Sequence, residues 1–523
     1  LVPSNQRPQE SASRFFYGHA PEWSDFESGF DVSRSITSSI INDVENLLNN
    51  TVEESRIIIL TDEPGTGKTT VVRRVAFEIS RRGIHTLVCS ALSRLEYDKT
   101  LSIVDGIEGP LLIVVDNFAD QVSPFAEIVS KTRKKDLVVL ASERGYRNRY
   151  LFQSLSGVPY HRAAALKMRA VDVEAIVERY TELGIVGTSR AIRDLNGFIK
   201  SAADDPMAVV CCRVLNDFRP LDRIAFDLME ECNEVDQNRY LIAALSQHCF
   251  GGGVRHEILS SILGSQGYRE QLSKEHALPL SYYDRRTNTH VVPQNSTIAM
   301  RILDNMSKRD PRRLLDIFTR LASTLAPRVN RKAIKQRSSE ARLASRLFDF
   351  DSVVDGILGD LAPAFYEATQ KAWQWNSRYW EQVALMNVSR HNSSGVRGMT
   401  EYLDSAVQNA RHAASIENHP LPLTTLSKIL FIQVVVPGYS RVGAFNEAFD
   451  CSDRAIKIEK SWARKSVHPY VTMFRGAREY LERGGVMSST QMQRVRDLLL
   501  EAEKLFPKDH EVGDNLRNLR ALI

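Results

Sequence analysis

The chain has 523 residues, 43% apolar and 25% charged, with a formal net charge of +4. That length exceeds what one hydrophobic core organises, so several domains are expected, and so small a net charge does not by itself imply a nucleic-acid or membrane partner. Six cysteines (89, 211, 212, 232, 249, 451) lack CxxC or His/Cys ligand spacing, which argues against a disulfide framework or zinc site and for a reducing cytosol. The longest apolar runs, at 57–60 and 111–115, are strand-sized, far below the roughly 20 residues that span a bilayer.

Residues 1–14 are polar and read as an unstructured leader; the chain opens on Leu1 rather than Met, so a fragment or trimmed chain is expected. Residues 15–26, FFYGHAPEWSDF, are aromatic-rich around Gly18 and Pro21. From Val32 to Leu48 apolar residues recur at helical spacing and predict an amphipathic helix. RIIIL (56–60), HTLVCS (85–90), GPLLIVVDN (109–117) and DLVVLASE (136–143) predict four strands, alternating with helical stretches. Their continuous apolar character fits a parallel sheet covered on both faces, a three-layer α/β domain. Residues 161–250 read as helical, 251–305 as short helices with a hairpin (LPLSYYDRRTNTHVVP) in a winged-helix-like module, and 306–523 as all-helical. A weak internal echo links 410–430 with 453–481, each a helix end at Glu417 or Glu459, then His-Pro at His419 or His468, then a Thr-bearing helix. It predicts stacked helix pairs of the tetratricopeptide kind, with convergent helix-loop-helix chemistry as the alternative reading.

The chemistry concentrates in IIILTDEPGTGKTTVV. A strand, a glycine-rich turn and a helix in that order form a phosphate-binding loop, whose backbone N–H groups point at the phosphates. Pro64, Gly65, Thr66, Gly67, Lys68, Thr69 and Thr70 occupy the loop and first helical turn. Gly67 lets the backbone approach the phosphate, Lys68 supplies charge, and Thr69 offers its hydroxyl to Mg²⁺. Asp62 stands where the loop's first glycine is usual, at an expected backbone cost of about 1 kcal/mol. LLIVVD ends in Asp116, placed to orient a Mg²⁺-bound water and so a second metal residue beside Thr69. Asn117 follows instead of an acid; an amide orients water but takes no proton, so slow turnover is expected unless Asp120 or another subunit helps. Arg144 ends the fourth strand, with Arg147 and Arg149 behind it, and is a candidate γ-phosphate sensor.

Together these residues resemble the signal-transduction ATPases with numerous domains, the STAND class, and in particular its bacterial antiphage-defence members. The resemblance rests on FYGHAPEWSDF as an aromatic lead-in motif, DEPGTGKTT and LLIVVDN as Walker A and B, and ASERGYRNR as a strand-end sensor. FYEATQKAWQWNSRYWEQVAL with ARHAASIENHPLPLTTLSKIL resembles the start of such proteins' helical sensor. It implies a multidomain chain: a lead-in segment (1–50), an α/β P-loop NTPase core (51–160), a helical lid (161–215), a winged-helix-like module (216–305) and an all-α TPR-like repeat sensor (306–523). It further implies an ADP-held resting state, an ATP-dependent homo-oligomer, a trigger protein of phage origin, and a cytoplasmic setting. Pro21 and Trp23 would lie near the base, and Pro206 would pack on adenine. Gln294 and Asn295 stand where such proteins carry Arg-His, which puts the winged-helix contact to the ADP phosphate in question. No effector domain fits before residue 15, so the output activity is expected upstream or on a separate protein.

Two other classes compete: a scaffold with a structural, non-exchanging nucleotide, and a nucleic-acid-dependent motor, against which Asn117 argues. The basic run 328–346 suits phosphate contacts, but without interleaved aromatics it reads as a solvated face or partner surface. The aromatics of WQWNSRYW read as helix-pair core, His419 and His468 as turn residues, and Cys211–Cys212 as small core residues.

Overall fold

The computed structural model describes all residues except 1–14, 16–20, 33, 50–55, 64, 90–96, 149–150, 153–154, 156–157, 165, 187–194, 231, 265–279, 286–287, 394–398, 461–464 and 507–509. The chain divides into two compact units, Leu1–Leu151 with Val158–Leu343, and Phe152–Gly157 with Ala344–Ile523.

In the first unit, helices α1 (Trp23–Glu27) and α2 (Ser35–Asn49) precede a parallel sheet of β1 (Ile57–Asp62), β2 (His85–Cys89), β3 (Leu111–Val115), β4 (Leu137–Arg144) and β5 (His161–Arg162). The strand order is β2-β3-β4-β1-β5. Ile40 and Val44 of α2, with Val71, Val72 and Val75 of α3 (Lys68–Arg81), pack on Ile58, Leu60, Leu112, Val114, Val138 and Leu140. The alternate residues Ile57, Ile59, Ile113 and Val139 are also buried, on the opposite face of the sheet. Burial on both sides is why β1, β3 and β4 are continuous apolar runs rather than alternating ones; the expectation of cover on both faces fails for β2, the edge strand, where Leu87 and Val88 are exposed. The order also sets the site: β4 lies between β1 and β3, with Asp62 opposite Arg144 and Val115 opposite Ala141. The carboxyl ends of all three strands therefore open onto one crevice. The remaining elements of this layer are α4 (Tyr97–Gly106) and α5 (Val122–Lys131).

Three helices follow: α6 (Ala170–Glu182), α7 (Leu195–Ala202) and α8 (Met207–Leu215). Val173, Ile176, Phe198 and Val210 share a core with Phe30 from the segment before α2. Helices α9 (Leu221–Glu230), α10 (Glu234–Cys249), α11 (His256–Leu263) and α12 (Ser296–Arg309) accompany a small antiparallel sheet of β6 (Val254–Arg255), β7 (Leu280–Arg285) and β8 (Asn288–Pro293), in the order β6-β8-β7. The expected hairpin is thus present, although the turn residues 286–287 lie outside the described residues. Gly253 has φ +68°, and a Cβ there would stand 2.3 Å from the Val291 carbonyl oxygen, so the turn into β6 needs glycine. Helices α13 (Pro311–Leu325), α14 (Arg331–Lys335) and α15 (Ser339–Leu347) continue the chain.

The second unit is helical: α16 (Ala362–Trp373), α17 (Ser377–Ser393), α18 (Met399–Ile416), α19 (Pro420–Val435), α20 (Arg441–Glu459), α21 (His468–Glu482), α22 (Ser489–Leu505) and α23 (His510–Arg520). Leu403, Leu430, Phe445, Phe474 and Leu498 from five of these helices share one apolar core. Gly476 of α21 lies so close to α19 that a Cβ would meet the Phe431 ring at 2.3 Å. The sequence echo falls on corresponding places in two helix pairs: Glu417 and Glu459 at the ends of α18 and α20, Pro420 and Pro469 in the first turns of α19 and α21. Among the described residues no helix is long and apolar enough to cross a membrane. All six cysteines are free thiols, and no described cluster of His, Cys, Asp and Glu could hold a metal ion.

Candidate nucleotide-binding site

The loop after β1 turns on two glycines in left-handed geometry, Gly65 (φ +82°) and Gly67 (φ +89°), the second capping α3. Neither tolerates a side chain. A Cβ on Gly65 would stand 1.9 Å from Thr297 Oγ1, and one on Gly67 2.7 Å from Met207 Sδ. Pro64 lies outside the described residues.

Lys68 reaches back across the loop and donates to the carbonyls of Asp62 (2.9 Å) and Glu63 (2.5 Å), with Thr66 Oγ1 at 3.4 Å. Burial, reinforced by the Arg144 charge, lowers its pKa to about 8 against the pull of Asp62, Glu143 and Glu63. Thr69 Oγ1 donates to Asp116 Oδ1 at 3.2 Å, so the two expected Mg²⁺ residues meet across the crevice. Thr70 continues the first turn of α3. The second donor to Asp116 Oδ1 is Ser142 Oγ at 2.6 Å, a residue that sequence reading missed. Its signal was available: a polar side chain in the otherwise apolar run LVVLAS, at a fully buried position. Arg73 Nε stands 3.6 Å from Asp116 Oδ2, and an Arg73 Nη1 donates to the Pro21 carbonyl. Pro21 is thereby tied to the loop helix. Trp23 packs against the core that α2 and α3 share, with its ring 6.3 Å from that of Phe26.

Asp62 does not carry the backbone cost expected of it. Its φ is not positive, and its carboxylate caps two N–H groups, those of Glu63 (2.7 Å) and Leu166 (2.6 Å). Arg34, buried before α2, donates to the carbonyls of Thr66 (2.9 Å) and Leu166 (2.8 Å). No local pattern in the sequence signals this, because the partners are 32 and 132 residues away.

The edge of the crevice beside Asp116 is covered. Asn117, itself left-handed at φ 53°, lies against Gly251, where a Cβ would meet its Oδ1 at 2.8 Å. Arg144 Nη1 donates to the Gln247 carbonyl of α10 at 2.8 Å. Asp120 is ion-paired with Arg147 at 2.6 Å, so it is not a free acid beside Asp116. Glu143, 1% exposed, accepts from the N–H groups of Ala119 and Arg144, both at 2.7 Å, with Arg147 at 3.3 Å. It braces the ends of β3 and β4. Arg149 lies outside the described residues. Pro206 caps α8, whose Ala208 N–H donates to the Gly65 carbonyl at 2.7 Å. At the start of α12, Thr297 is buried with its hydroxyl unpartnered, while Asn295 caps the helix by accepting from Thr297 and Ile298.

A strand, a loop that admits only glycine at two points, a lysine in the loop mouth and a Thr–Asp pair across the crevice define a P-loop NTPase fold. Residues 13–155 are similar to the family described as "Novel STAND NTPase 5", which agrees with a P-loop NTPase fold for this segment. Among curated proteins, none matches the chain. Solved structures similar to it include C. elegans PCH-2 (12% identity, TM-score 0.27, covering 37% of this chain and 63%, less than two thirds, of that one). Others are the Thermotoga maritima RuvB Holliday junction branch migration motor (13%, 0.25, covering 53% and 95%) and AMPPCP-bound DnaA from Aquifex aeolicus (13%, 0.27, covering 61% and 96%).

Proposed function

We propose that the chain is a nucleotide-controlled regulatory switch, held by ADP at rest and assembling into a homo-oligomer with ATP. One observation carries this reading: the P-loop edge is contacted from two later modules. Ala208 and Met207 of α8 lie on the loop, Thr297 of α12 abuts Gly65, and α10 holds Arg144 through the Gln247 carbonyl. A site so covered favours retention and exposes its sensor arginine only when α10 moves away.

The residues fit the group they would hold. Gly65, Thr66, Gly67, Lys68, Thr69 and Thr70 would cradle the phosphates, and Thr69 with Asp116 would hold Mg²⁺, which when bound shields the phosphate charge. Lys68 would exchange its two carbonyl partners for phosphate oxygens. Pro21, Trp23 and Pro206 would border the base, and Arg144, once released from Gln247, would reach the γ-phosphate. Hydrolysis would be slow, because Asn117 accepts no proton and both Asp120 and Glu143 are engaged. In the same reading residues 161–215 are the lid, 216–305 a winged-helix-like module and 306–523 a TPR-like sensor. That sensor would receive a phage-derived trigger in the cytoplasm, and the effector would be fused upstream or carried by a partner.

The test compares mass in ADP and in ATP for the native chain and Lys68→Ala. Growth in mass with ATP alone is expected, with the variant losing on the order of a hundredfold in nucleotide affinity and the growth with it. Equal mass in both nucleotides would point to a scaffold instead.

A further inference from the structure

Asp62 breaks the glycine pattern of the loop, and its surroundings give the substitution a task. The chain leaving β5 runs beside β1, with Ala163 N–H donating to the Ile59 carbonyl at 3.0 Å, and arrives at Leu166 next to the start of the loop. The Leu166 peptide is then gripped on both sides. Its N–H donates to Asp62 Oδ2 at 2.6 Å, and its carbonyl accepts from Arg34 Nη2 at 2.8 Å. Arg34 Nη1 at the same time holds the Thr66 carbonyl in the middle of the loop at 2.9 Å. A glycine at position 62 would leave the Leu166 N–H and the Glu63 N–H without this acceptor, and Arg34 alone would join loop to strand.

The connection continues outward. Three residues after Leu166, Arg169 caps α6, the first helix of the lid. Between them the Met168 carbonyl accepts from Asp204 N–H at 3.2 Å. Asp204 holds φ +76°, a left-handed conformation that aspartate adopts more readily than most non-glycine residues, in the turn that leads to Pro206 and α8. Ala208 of α8 closes the circuit by donating to the Gly65 carbonyl at 2.7 Å. Loop, the segment after β5, lid turn and α8 thus form one ring of hydrogen bonds, and Asp62 contributes its charge-assisted link.

We propose that Asp62 is a positioning residue for the nucleotide: it fastens the start of the P-loop to the segment that leads from β5 into the lid, and so slows release of bound nucleotide. This rests on the nucleotide-binding reading above. The carboxylate touches no phosphate; it acts by keeping the loop and the lid that covers it in one register, so opening the lid requires breaking the Asp62–Leu166 bond.

The experiment is stopped-flow release of N-methylanthraniloyl-ADP, chased with excess ADP, from the full chain and from Asp62→Gly, Asp62→Asn and Leu166→Pro, with thermal melting alongside. Asp62→Gly is expected to release about tenfold faster, the scale of one lost charge-assisted hydrogen bond. Asp62→Asn, which keeps one acceptor, should fall between, with association rates within threefold of native. Leu166→Pro removes the same N–H, so its combination with Asp62→Gly should release no faster than either alone. Should the proline variant fail to fold, the aspartate series decides the matter. Release within twofold of native for both Asp62 variants, even with lowered melting temperatures, would reduce Asp62 to a structural cap and overturn the proposal. A native chain that binds no labelled ADP would overturn the nucleotide reading itself, and this inference with it.

Discussion

Around the P-loop, three cations donate to neutral groups: Lys68 to the carbonyls of Asp62 and Glu63, Arg34 to those of Thr66 and Leu166, Arg144 to that of Gln247, while Arg147 is locked to the carboxylates of Asp120 and Glu143. In the helical unit the half-buried Arg378 and Arg494 rest on carboxylates. Arg378 lies 3.1 Å from Glu381 and 3.4 Å from Asp349, and Arg494 lies 2.7 Å from Asp453. The difference separates a site from a scaffold. A carbonyl satisfies a cation's hydrogen bonds without cancelling its charge, so the positive potential stays available to an anion. A carboxylate cancels it, and the pair then only fixes helices in place. The apolar counterpart in the second unit is a cluster around Phe348, whose ring stacks on Phe365 at 5.2 Å and meets Trp373 edge-on at 4.8 Å and Tyr379 at 5.5 Å.

Phe348→Ala gives the largest expected effect on that comparison. Removing a fully packed ring should lower the stability of the helical unit by about 3–5 kcal/mol in chemical denaturation. Labelled-ADP affinity, read well below the transition, should stay within twofold; a parallel loss of affinity would erase the distinction between scaffold and site.

A smaller effect sharpens the other side. Because burial lowers the Lys68 pKa to about 8, the nucleotide-free lysine loses its proton as pH rises through that value. Anion binding needs the charged form, so affinity should be flat below pH 7 and fall by about tenfold between pH 7 and 9, with proton uptake on binding. For stability the sign is opposite. The unfolded lysine, with its pKa of 10.5, holds its proton where the folded one does not, so this residue's contribution rises between about pH 8 and 10.5. Titration calorimetry in buffers of different ionisation heat would read the uptake, and a pH-independent affinity would show that Lys68 does not carry the binding.

The sequence reading reached furthest where burial imposes an unbroken apolar run. β1, β3 and β4 were legible for that reason, as was the loop, because two left-handed backbone positions admit only glycine. Asp116 was found from its place at a strand end. β5 was not: it is two exposed residues, His161 and Arg162, recruited by the free edge of β1. β6 was missed likewise, since Val254–Arg255 becomes a strand only by pairing with Val291 and His290. Arg34 and Thr297 joined the loop through tertiary contacts that no spacing encodes, and Asp62 was read as a defect because its partner Leu166 lies 104 residues on. The aromatics of WQWNSRYW were legible in kind: Trp373 and Tyr379 are core residues. His419 caps α19, accepting from the Leu421 N–H at 3.3 Å, as a turn residue should.

Denaturing the purified native chain and separating the released nucleotides by anion exchange decides whether the covered P-loop retains a nucleotide. Near-stoichiometric ADP is the predicted result. A chain that yields no nucleotide, or only ATP, would contradict an ADP-held resting state.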